Sequence, residues 1–163
     1  VLGVVFLAKR DYDQAIKLGR KAVQLSPNGA EGTAALGLMY NYAGRPREAI
    51  EQLGHAMRLS PRHPVWYSYQ KGLAQYLVKD YAQAIQHFEE LLKRDPEAPR
   101  TRMLLTASYV GAKRLPEARG AAKVFRERNP DMDPAKELAQ AEPFRDPAVI
   151  EGILEQLKIV DLE

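Results

Sequence analysis

An all-α fold, built as a solenoid of stacked helix–turn–helix units, is predicted by three observations. Prolines at Pro27, Pro61, Pro96 and Pro130 recur at intervals of 34, 35 and 34 residues. Alanines at Ala15, Ala49, Ala84 and Ala118 keep the same intervals, as do Gly3, Gly37 and Gly72, with Thr106 in the next place. A phrase also recurs in that register: RDYDQAI (Arg10 to Ile16), GRPREAI (Gly44 to Ile50), KDYAQAI (Lys79 to Ile85) and, more loosely, KRLPEAR (Lys113 to Arg119). A fixed period of this length marks a supersecondary unit that buries its apolar face only against its neighbours.

Each copy reads as two helices. Leu36, Gly37 and Tyr40 fall on one face of the first helix of copy two, as the helical period requires. The second helix of copy one opens at Asp11, an N-cap residue with Gln14 three positions on, and Asp80 with Gln83 repeats the arrangement. Copies two and four place Pro46 and Pro116 in the first turn, where a missing N–H removes no hydrogen bond. The periodic prolines then stop each second helix. Small residues on both helices imply close backbone approach, and a bulky side chain there would overpack the pair.

These residues resemble the tetratricopeptide repeat (TPR), a 34-residue helix–turn–helix that carries L-G-x-x-Y, then A, then P. LGLMY (Leu36 to Tyr40), Ala49, Ala56 and Pro61 match it in register. Copy one matches through Leu2, Gly3, Phe6, Tyr12, Ala15, Ala22 and Pro27, and copy three through Gly72, Tyr81, Ala84, Phe88 and Pro96. Copy three departs at Lys71, and an extra residue near Arg62-His63-Pro64 shifts its start. Copy four matches through Leu105, Tyr109, Ala118 and Pro130. The resemblance covers residues 1–130, divided at about 1–29, 30–63, 64–98 and 99–130, and implies a right-handed α-solenoid with a concave groove lined by the first helices. Carried onto this chain, the groove positions are Leu38, Asn41 and Tyr42 in copy two, Trp66, Tyr69, Leu73, Tyr76 and Leu77 in copy three, and Arg100, Met103 and Val110 in copy four. That strip is aromatic and mostly uncharged, which suits an amphipathic helix or an extended peptide. Chaperone-binding members clamp a C-terminal carboxylate with Lys and Asn. The matching positions here hold Ala34, Leu38, Tyr69 and Leu73, so no such clamp is expected.

Residues 131–163 read as a degenerate fifth repeat and capping helix. Asp133 and Pro134 have the form of an N-cap and first helical residue, and PFRDP (Pro143 to Pro147) breaks the helix early. A last helix then starts at Asp146-Pro147, with Val149, Ile150, Ile153, Leu154 and Leu157 on one stripe. The segment PFRDPAVIEGILEQLKIVDLE resembles the end of bacterial class III adenylate/guanylate cyclases that carry a TPR region. Glu155, Leu157, Lys158 and Leu162 match that ending, whereas Ile159, Val160 and Asp161 depart from it. The resemblance implies a C-terminal regulatory region of a larger signalling protein. The chain starts without Met and inside a helical pattern, which is the pattern of a piece of such a protein. Leu162-Glu163 reads equally as native sequence or as a cloning remnant.

Composition narrows the function class. The chain has 163 residues, 24 basic and 21 acidic, a net charge of +3 and no cysteine. So balanced a charge argues against nucleic acid, and the lack of cysteine removes disulfide and Cys-based metal sites. The apolar start VLGVVFLA is too short to span a bilayer. His55, His63 and His87 stand alone, and no phosphate-binding loop is present. The reading is therefore a cytoplasmic, non-enzymatic protein-interaction module with no cofactor and no metal. Its partner is a protein or peptide, which includes upstream domains of the parent or a second copy. An oligomerisation scaffold and, less favoured, a helical-repeat RNA binder are the alternatives.

Overall fold

The computed structural model describes residues 2–162; Glu163 and the side chain of Leu2 lie outside the described residues. Among the described residues the chain forms helices and no strand. In order these are α1 (Leu2–Ala8), α2 (Tyr12–Leu25), α3 (Ala30–Tyr42), α4 (Pro46–Leu59), α5 (Val65–Leu77), α6 (Tyr81–Arg94), α7 (Pro99–Gly111), α8 (Leu115–Arg128), α9 (Pro134–Ala141) and α10 (Ala148–Lys158).

The helices stack as an α-solenoid of antiparallel pairs: α1 on α2, α3 on α4, α5 on α6 and α7 on α8. Each of α2, α4 and α6 then packs on the first helix of the next pair. The first helices α1, α3, α5 and α7 also touch in succession, whereas the second helices meet only first helices. This makes an inner layer of first helices and an outer layer of second helices, with the core between them.

Small residues set the spacing of each pair. Ala15, Ala49, Ala84 and Ala118 have no solvent exposure. A Cβ added at Gly37 would lie 2.7 Å from Leu53 Cγ and 3.3 Å from the carbonyl oxygen of Ala49. The glycine of α3 therefore lies directly against the backbone beside the repeated alanine of α4. Larger groups fill the space around these contacts, with Leu53, Phe88 and Phe125 fully buried.

The turn inside each pair also repeats. Arg10, Gly44, Lys79 and Lys113 have φ of 59°, 79°, 64° and 60°. Each is the first residue of the recurring phrase. After it the chain reverses through paired backbone hydrogen bonds, such as Lys79 N–H to Tyr76 O at 2.9 Å and Asp80 N–H to Gln75 O at 2.9 Å. Those bonds satisfy carbonyls left open at the helix end. Only copy two uses glycine for this left-handed residue, although a side chain there meets a steric penalty. The next helices begin as expected. Asp11 accepts from the Gln14 N–H, Asp80 from the Gln83 N–H, and Asp133 from the Ala135 and Lys136 N–H groups.

The last two helices leave the line of the stack. The sequence reading placed them as a fifth repeat beyond α8, but α9 and α10 pack on α7 and on each other. The physical reason is in the chain itself. Helix α9 has only 8 residues, with Pro134 and Leu138 as its buried positions, too small an apolar face to cover the 14-residue α8. Pro143 and Pro147 then turn the chain back. Helix α10 caps the array from within, burying Ile153 and Leu157, and its end is closed by Leu162 N–H bonding to Leu157 O at 3.0 Å.

Two predictions follow the packing. Ala49→Leu and Ala84→Leu will each lower stability by roughly 1–3 kcal/mol through overpacking, whereas Gln86→Leu on the exposed side of α6 will change it little; denaturant unfolding measures all three. Lys79→Gly will raise stability by roughly 0.5–1 kcal/mol, because relief of the left-handed strain exceeds the added chain entropy of glycine. Gly44→Lys will shift the midpoint the other way.

Candidate peptide-binding groove

The inner layer carries the groove positions, and their surroundings divide them. Leu73 and Met103 are fully buried in the core. Val110 is buried as well, at the end of α7. Leu38, Trp66, Tyr69 and Leu77 are partly buried against the core, and Arg100 is exposed. Asn41, Tyr42 and Tyr76 are buried.

Residues 142–147 cross the inner face and cover part of it. Glu142, 1% exposed, brings its carboxylate against the array. One oxygen accepts from the Tyr42 hydroxyl at 2.5 Å and the other from the Tyr69 hydroxyl. Arg100 approaches that carboxylate at 3.7 Å and Glu137 at 3.5 Å. The Arg100 guanidinium also lies 5.9 Å from the centre of the Tyr69 ring. Next along the chain, Phe144 packs edge-on against Tyr42 at 5.1 Å. The Arg145 N–H donates to Tyr42 O at 2.7 Å, and the Tyr12 hydroxyl donates to Pro143 O at 3.1 Å. The Arg145 guanidinium pairs with Asp13 at 2.9 Å and lies over the Tyr12 ring. Farther on, the Tyr76 hydroxyl donates to Gln156 of α10 at 2.5 Å.

These contacts extend a buried polar chain. The Asn41 amide donates to Gln70 O and Gln70 Oε1 at 2.8 and 2.9 Å, and Gln70 donates to the Tyr42 hydroxyl at 3.1 Å. The network therefore runs from α3 to α5, back to Tyr42, and out to Glu142. Burial pushes the Glu142 carboxyl above its ordinary value, against the opposing pull of the Tyr42 and Tyr69 hydroxyls and Arg100. Burial beside that carboxylate pushes both tyrosines well above theirs. The phenols thus stay protonated as donors.

The rest of the inner face stays open. Trp66 stands between two hollows. One, about 760 Å³, is bounded by Val4, Val5, Ala35 and Leu38 with Trp66 at its side. The other, about 470 Å³, is bounded by Tyr42, Tyr69, Pro99 and Arg100. Val4 and Val5 are 43% and 49% exposed, so the first hollow presents apolar surface to water. Sequence reasoning did not single out Gln70, Glu142, Phe144 or Val4 and Val5 as groove residues. The contacts of Glu142 span 73 and 100 residues, which no local pattern encodes.

The carboxylate clasp generates one prediction. Glu142→Ala will loosen residues 142–147 by about 1–3 kcal/mol, since it orphans two buried phenol hydroxyls. Glu142→Gln will loosen them less, because its amide oxygen still accepts from one phenol. Amide hydrogen exchange at Arg145 reads the difference; equal protection in both variants would remove the clasp from the account.

Comparison with known proteins agrees with the fold. A family model described as "Tetratricopeptide repeat" matches residues 76–142, and one described as "Anaphase-promoting complex, cyclosome, subunit 3" matches residues 8–91, half of the chain. BBSome complex member BBS4 of Bos taurus is 41% identical over 61 residues, which are 37% of this chain and 12% of that protein. The chain thus spans about an eighth of that relative's length. Among solved structures, MamA (residues 41 to the end) from Desulfovibrio magneticus RS-1 superposes with a TM-score of 0.74 at 18% identity, covering 98% of this chain and 93% of that one. YrrB, described as a TPR protein with an unusual peptide-binding site, superposes with a TM-score of 0.69 at 16% identity, covering 97% of this chain and 80% of that one. The tetratricopeptide-repeat model thus matches residues 76–142 directly, and together with the fold of the solved structures this shows that the chain carries tetratricopeptide repeats.

Proposed function

We propose that this chain is the peptide-binding regulatory module of a larger bacterial signalling protein of the nucleotide-cyclase type, and that it acts through the open half of its inner face. The observation that carries the binding role is the apolar hollow between Trp66, Leu38 and the exposed Val4 and Val5. Aromatic anchors beside apolar walls suit the apolar face of a helix or an extended peptide. The described helices include none long and apolar enough to cross a membrane, and the groove needs none. The solved relative YrrB, with its stated peptide-binding site, supports the same use of this fold. The signalling context rests on the PFRDP-to-Leu162 tail and its likeness to the end of class III cyclases. The module itself binds rather than catalyses, and its work is to hold a partner segment against the array.

Trp66 is the chain's only tryptophan, so it reports on this surface directly. Adding the region that precedes this chain in its parent protein will shift Trp66 emission to the blue and reduce acrylamide quenching. Affinity will change little with salt, because no charge lines that wall except Glu31. Leu38→Asp will weaken binding at least tenfold while leaving the fold's circular dichroism unchanged. An unchanged Trp66 signal on addition of the upstream region, or a steep loss of affinity with modest salt, would move the site off this face.

A further inference from the structure

The other half of the inner face is filled by the chain itself, and the manner of filling resembles a bound peptide. Glu142 is extended, with φ −116° and ψ 93°, and the chain between α9 and α10 is held from helix formation by Pro143 and Pro147. Its grip combines main chain and side chain. The Arg145 N–H and Pro143 carbonyl bond to Tyr42 O and the Tyr12 hydroxyl, and these two bonds do not depend on which side chains the segment carries. Selectivity comes from the alternate residues: the Glu142 carboxylate between two phenols, and the Phe144 ring edge-on to Tyr42. Arg145 adds a charged contact to Asp13 at the end of the track. A carboxylate this buried is poorly explained as a source of stability, since desolvation offsets most of the gain from its partners. Its specificity is high, because a shorter residue leaves two phenol donors without an acceptor and a neutral amide leaves one.

We infer that residues 142–145 are a ligand bound in cis, and that the track formed by Tyr12, Asp13, Tyr42, Tyr69 and Arg100 accepts in trans an extended peptide bearing a carboxylate, an aromatic ring two residues later and an arginine after that. The partner is thus a separate protein carrying an acidic-x-aromatic-Arg stretch, and it binds by displacing the tail. This deepens the reading of the inner face as a peptide groove and rests on it. The tether places the tail near its track at an effective concentration on the order of millimolar. The groove is therefore closed to weak ligands and open only to those that outcompete that concentration.

The probe is a fluorescein-labelled peptide with the sequence of residues 139–148, AQAEPFRDPA, titrated into the whole chain. The double variant Glu142→Ala/Phe144→Ala removes the cis ligand and leaves every groove residue in place. It will bind the peptide at least tenfold more tightly than the wild type. A probe with Gln in place of the Glu, or with Ala in place of the Phe, will lose at least tenfold against the same variant. Should the variant fail to fold, the wild type gives an independent reading: millimolar peptide will speed hydrogen exchange at Arg145 while leaving exchange in α3 and α7 unchanged. Equal affinity of the folded variant and the wild type, or exchange at Arg145 that stays slow in millimolar peptide, would overturn the proposal. So would a wild-type dimer that the peptide dissociates, since the track would then belong to a second copy. A negative result here combined with a retained Trp66 response to the upstream region removes only the tail site. Loss of both responses removes the peptide groove altogether.

Discussion

The close approach of paired helices at alanine is the constraint on which the rest depends. With Ala15, Ala49, Ala84 and Ala118 fully buried, each pair can bring its backbones together and leave the larger groups, Leu53, Phe88 and Phe125, to fill the flanks. The same spacing recurs in every pair, so each pair presents the same surface to the next, and the stack propagates. First helices end up beside first helices. The inner face is a consequence of that repetition before it is a binding surface.

An inner face of this kind needs polar order as well as apolar packing. The chain of Asn41, Gln70 and Tyr42 threads from α3 to α5 and aims phenol hydroxyls into the groove. Asn41 Oδ1 of this network has no hydrogen-bond partner among the described residues. Glu142 supplies the acceptors that Tyr42 and Tyr69 need. The tail docks where the array has donors to spare, and the buried Phe144, Ile153, Leu157, Val160 and Leu162 supply the apolar contact that holds it there.

Electrostatics elsewhere is ordinary. Arg45 with Glu48 and Arg114 with Glu117 are short pairs one helical turn apart at the start of second helices, and pairs this exposed contribute little. They occupy equivalent places in copies two and four, where Arg45 and Arg114 stand at the N-cap held by Asp11 and Asp80 in copies one and three, and a proline follows in the first turn. The repeat thus tolerates two different helix starts around an unchanged alanine.

How much of this was legible in the sequence depends on distance along the chain. Period, helix pairing, the Asp11, Asp80 and Asp133 caps and the proline stops were legible, because each rests on residues within one turn or one period of each other. The left-handed turn was present in plain view as the first letter of the recurring phrase, but Arg10, Lys79 and Lys113 masked it, since only Gly44 advertises positive φ. The groove strip could be placed on the inner layer from the repeat alone. Its division could not: whether Tyr42 faces water or Glu142 depends on a contact 100 residues away. The sequence by itself determined the repeating unit, because helical period and small-residue spacing are local chemistry. Only the tertiary structure decided that α9 and α10 fold inward, because that choice rests on buried donors contributed by three different helices, which become neighbours only after the stack has formed.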